Sequence, residues 1–191
     1  MSDKIKFPLL KARHVAERIV RALAPACERI EIAGSIRRQK SEVGDIEILY
    51  IPKMVSIRSD LFNEDPLQVP AVDAILEKLL LDGSLAKRKT IKGTENWGPS
   101  NKYAVAVRSG IPVDFFCTDE KCWWNMLVCR TGSAETNQRI AAAAKAQGKQ
   151  WHPCGPGFSQ KFPGHIEYYP MTSERGVFTF AGLPYLEPAQ R

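Results

Sequence analysis

The sequence predicts an α+β fold, and three of its features do so. Apolar residues recur at helical spacing in "LLKARHVAERIVRALAPA" and "AVDAILEKLLLDG". The stretches "IEIAG", "DIEILYI", "KYAVAVRSG" and "IPVDFFCT" carry the apolar, extended character of strands. The pattern then changes after residue 118, which divides the chain into a sheet-and-helix domain over residues 1–118 and a smaller α/β lobe over 119–191.

In chain order, Leu9, Ala12, Val15, Ala16, Ile19, Val20 and Leu23 form one apolar helical stripe that ends before Pro25. In the strand that follows, Ile46 and Ile48 share one face, while Asp45, Glu47 and Leu49 share the other. Residues 52 to 70 hold Pro52, Pro66 and Pro70 and read as a loop or irregular excursion before the next helix, which Gly83 closes. "LAKRKTIKG" reads as a further strand. In the second lobe, "KCWWNMLVCR" and "AETNQRIAAAAKAQGK" read as helices, and "HIEYYPM" and "VFTFAGLPYL" as short apolar segments.

The 191 residues, 44% hydrophobic and 25% charged, suffice for one core or two small ones. No apolar run approaches the roughly 20 residues of a membrane helix, and "MSDKIKFPLL" is too polar for a secretory signal. Five scattered cysteines fit reduced thiols, so a cytoplasmic protein without a membrane partner is expected. His152 and Cys154 in "WHPC" lack a second ligand pair at metal-site spacing. A net charge of +6 points to an anionic partner. Lys87, Arg88, Lys89 and Lys92 form one basic cluster, and Arg139, Lys145 and Lys149 recur later. Such clusters are ordinary solvated faces unless a phosphate-handling site lies nearby, where they become backbone contacts.

"AGSIRRQKSEVGDIEIL", residues 33–49, supplies that site. Asp45 and Glu47 are two residues apart on a strand, about 7 Å between Cα atoms, so their carboxylates can converge on divalent cations. Asp114 interrupts an apolar strand and supplies a third acid, whose burial without a partner would be costly. Two cations about 4 Å apart can activate a hydroxyl and stabilise a departing pyrophosphate, and hard oxygen ligands favour Mg2+, with Mn2+ as a substitute. Gly34 lets backbone approach phosphate, Ser35 offers a hydroxyl, and Arg38 can fork onto phosphate oxygens. Arg37 suits a salt bridge as well as a phosphate. Trp123, Trp124 and Trp151 suit lobe packing better than base stacking.

"GSIRR", "VGDIE", "VDFF" and "TGSAETN", in that order, resemble the nucleotidyltransferase core of family X DNA polymerases over nearly the whole chain, and "GLPYLEPAQR" is similar to that family's ending. The resemblance implies a polymerase-beta-like palm followed by a thumb lobe. Because few residues precede Gly34, it also implies a minimal form without the lyase domain of relatives. It implies DNA polymerase activity in short-gap repair, with Asp45, Glu47 and Asp114 as catalytic metal ligands. Gly34, Ser35, Arg38 and Gly44 would hold phosphates, and Gly132, Ser133 and Asn137 the sugar and base side. Lys87, Arg88, Lys89, Lys92, Lys102 and Arg139 would meet DNA. Its partners would be a dNTP and gapped or primer-template DNA, bound by a monomer. Three positions depart from the family: Glu47 replaces the usual Asp, Cys129 and Arg130 replace an aromatic pair, and Ala141 replaces a template-contacting Arg. A nucleotidyltransferase acting on protein or RNA and a weakened DNA-binding module are the alternatives.

Overall fold

A computed structural model describes residues 5–57, 66–90 and 93–191. It is α+β. In chain order the elements are β1 (Phe7–Pro8), α1 (Leu9–Leu23), β2 (Cys27–Ile32), α2 (Gly34–Arg37), β3 (Glu42–Val43), β4 (Ile46–Pro52) and β5 (Met54–Ile57). There follow β6 (Leu67–Pro70), α3 (Ala71–Leu81), β7 (Leu85–Lys87), β8 (Asn101–Ala106) and β9 (Ile111–Cys117). The remainder comprises α4 (Trp123–Thr131), α5 (Ala134–Ala146), β10 (Lys149–Trp151), β11 (Gly157–Phe162), β12 (His165–Pro170) and α6 (Glu174–Phe180).

The main sheet runs β2-β4-β9-β8-β7, with β4 and β9 parallel and the other neighbours antiparallel. Alternation along the strands sorts their side chains to two faces. Ile46, Ile48, Tyr50, Val113 and Phe115 bury against Ala12, Ala16, Ile19 and Leu23 of α1 and Val72 and Leu76 of α3. Leu49 and Phe116 face the opposite way, onto Trp123, Met126 and Leu127 of α4. The next residue of α4, Val128, belongs to another core, with Ile140 of α5, Trp151 and Phe158 of the β10-β11-β12 sheet, and Phe178 of α6. Helix α4 thus packs the main sheet with one side and the second core with the other. Trp123 and Trp151 are buried packing residues.

Two expected elements differ. The stretch 52–70 is not simply a loop: Met54↔Pro70 through Ile57↔Leu67 pair as an antiparallel hairpin, with residues 58–65 outside the described part. Its prolines fall at strand ends, where a missing N–H breaks no ladder bond, so the proline count misreads it. The "LAKRKTIKG" strand stops at Lys87. Among the described residues, no helix is long and apolar enough to cross a membrane.

Candidate active site

The site begins where β2 leaves the sheet. The Ala33 amide still donates to Glu47 O at 2.8 Å, and the chain then turns at Gly34, φ +62°, into the short helix α2. This turn lies directly on β4. A Cβ at Gly34 would collide with the Glu47 carboxylate, so the glycine serves both the left-handed backbone and the close approach of the acid.

Glu47 and Asp114 are register partners on the parallel strands β4 and β9. Both project from the face that carries Leu49 and Phe116, and Asp45 stands one residue before β4. Burial, followed by repulsion from Asp45, pushes the Glu47 carboxyl up to about 7. Asp114 adds to the rise, while Arg130 and Arg38 oppose it. The three acids expected from the sequence therefore share one electrostatic neighbourhood. They do not stand as a ready cage: among the described residues, no group of three or more His, Cys, Asp and Glu gathers closely enough to hold a metal ion. Asp114 instead accepts an ion pair from Arg88 Nη2. The donor chemistry, three carboxylates on neighbouring backbone, suits a hard divalent cation.

The two arginines of "GSIRR" divide their work. Arg37 is the salt bridge: Nη1 donates to Glu174 Oε1 and to Thr131 Oγ1, both at 2.8 Å, and Nη2 donates to Glu174 Oε2 at 2.7 Å. Arg38 Nη1 donates to the Thr131 carbonyl. Its Nε and the Ser35 hydroxyl are buried without a hydrogen-bond partner. Burial lowers the Arg38 pKa, against the opposing pull of Glu47 and Asp45. Both are donor groups of the kind that bind anions. Gly44 is buried just ahead of Asp45.

Gly132, Ser133 and Asn137 have structural partners. Gly132 has φ +71° and lies against the Arg38 guanidinium, where a Cβ would come within 2.9 Å of Nη1. Ser133 caps α5 by accepting the Thr136 amide at 3.3 Å. Asn137 Nδ2 donates to the Cys129 carbonyl at 2.8 Å, while its Oδ1 is buried without a partner.

The expected DNA contacts separate. Lys87, Lys89 and Arg139 are exposed, whereas Lys92 lies outside the described residues. Arg88 pairs with Asp114. Lys102 is a correction: it is 5% exposed, and its ammonium pairs with Asp73 at 3.1 Å and donates to Gly98 O at 3.0 Å, so it is not a surface cation. Sequence reasoning missed Glu174 and Arg191, which share the Arg37 network through Arg191 Nη1 to Glu174 Oε1 at 2.9 Å. Nothing local signals a pairing across 137 residues. Arg130, singled out only as a departure, seats its guanidinium 3.6 Å from the centre of the Phe116 ring. No family model matches the chain.

Proposed function

We propose that the chain is a DNA-directed nucleotidyltransferase of the family X polymerase kind, filling short gaps by adding a dNMP from a dNTP to a primer 3′ hydroxyl and releasing pyrophosphate. One observation carries this reading. Glu47 and Asp114 stand in register on adjacent strands, beneath a turn whose Ser35 Oγ and Arg38 Nε lack acceptors. Carboxylates that suit cations, and donors without acceptors on the adjoining turn, support this reading.

Asp45, Glu47 and Asp114 would hold Mg2+, or Mn2+ in its stead, which when bound supplies charge neutralisation and activation of the attacking hydroxyl. Ser35 and Arg38 would bind and orient the triphosphate. Gly132, Ser133 and Asn137 would line its nucleoside end, and Lys87, Lys89 and Arg139 would hold the DNA backbone. Holding the 3′ oxygen in line with the α-phosphorus is the main work left to the protein, because positioning dominates phosphoryl-transfer catalysis.

The test offers radiolabelled dNTP or ATP with gapped DNA, with RNA, and with protein alone. Templated dNMP addition to gapped DNA is expected, and Asp45→Asn or Asp114→Asn should abolish it with little change in fold. Addition at near wild-type rate by either variant, or labelling of RNA or protein in preference to DNA, overturns the reading.

A further inference from the structure

Arg88 is held on Asp114 from several sides. Its amide donates to Tyr103 O at 3.0 Å, its guanidinium lies 5.3 Å from the Tyr103 ring centre, and Tyr103 is the β8 register partner of Asp114. The Nη2 donor of Arg88 completes the ion pair with Asp114 Oδ1, and its Nε is buried with no partner. Backbone, ring and carboxylate therefore direct one fixed positive charge to the very acid that would ligate a cation. A guanidinium and a divalent cation compete for the same carboxylate oxygens.

We propose that Arg88 is a counter-cation of the resting site, and that a divalent cation engages Asp114 by displacing it. This inference rests on the reading of Asp45, Glu47 and Asp114 as a cation site. Arg88 is then a positioning residue that sets the cation affinity of the protein. A lysine at the same position keeps the charge but loses the planar fork, so it competes less well.

Binding of Mn2+ to the protein without nucleotide or DNA, followed by electron paramagnetic resonance, tests this. Arg88→Gln should tighten Mn2+ binding roughly tenfold or more, the scale on which a neighbouring opposite charge biases a carboxylate. Arg88→Lys should fall between Arg88→Gln and wild type. In an Asp114→Asn background, Arg88→Gln should change nothing. Circular dichroism and melting temperature identify any variant that misfolds, and Arg88→Met serves as a second neutral form. If Asp114→Asn weakens Mn2+ binding while Arg88→Gln and Arg88→Met leave it at the wild-type value, the inference fails and the cation site stands. If no variant binds Mn2+ at millimolar concentration, the cation site fails and the inference with it.

Discussion

Glu47 shows how much one methylene can decide. Its carboxylate occupies the space that the missing side chain of Gly34 leaves open, so the site accommodates the longer acid. Shortening it to Asp draws the carboxylate back by about one bond length, a misplacement of the kind that can cost on the order of 100-fold in rate. We therefore expect Glu47→Asp to slow single-nucleotide addition at saturating dNTP by at least about tenfold. A raised rate would show that the extra methylene only displaces a cation. At Gly34 any side chain meets both the carboxylate and a left-handed backbone, so Gly34→Ala should lose stability and nucleotide addition together. Thermal melting beside primer extension separates that outcome from a purely catalytic loss.

At the scale of elements, helix α2 is the joint of the molecule. Four residues long, it has too few internal hydrogen bonds to persist alone and is held from outside. Arg37 and Arg38 tie it to Thr131 at the end of α4, and Glu174 of α6 gathers Arg37 and Arg191. Burial works against ionisation of Glu174, but the two guanidinium groups outweigh it and hold the carboxyl below its ordinary value of 4.5. A depressed folded-state pKa contributes stability that is present above the unfolded value and is lost as pH falls through the folded one. Urea unfolding should therefore show wild type weakening below about pH 4.5. Glu174→Gln, which takes the shared carboxylate from two arginines, should be destabilised by roughly 3 kcal/mol near pH 7, and the gap should narrow in acid. A gap independent of pH would place the carboxylate's contribution elsewhere.

Across the whole molecule, charge is spread unevenly between surface and interior. Lys87, Lys89 and Arg139 are exposed, whereas Lys102 and Arg191 are buried and paired. Under the proposed function, DNA binding is expected to be strongly salt-dependent and indifferent to sequence. Replacing one exposed cation that meets a phosphate should lower the slope of log affinity against log salt by about 0.9. Lys102→Met should leave that slope unchanged and lower the melting temperature, because Asp73 loses its partner. Fluorescence anisotropy over a salt series reads both effects, and a flat response for wild type contradicts the proposal.

Local pattern was enough for the helices α1 and α3, the strands β4, β8 and β9, and the sharing of one face by Glu47 and Leu49, because each depends on the spacing of neighbours along the chain. It also marked Asp114 as an acid in an apolar strand. The pairing of β4 beside β9, which sets Glu47 against Asp114, is a contact across 67 residues of chain. Only the closed sheet decides it. The same holds for Arg37 meeting Glu174, for Arg88 meeting Asp114, and for the burial of Lys102. A charged side chain reads alike in sequence whether it faces water or a carboxylate, and only packing determines which partner remains once water is removed.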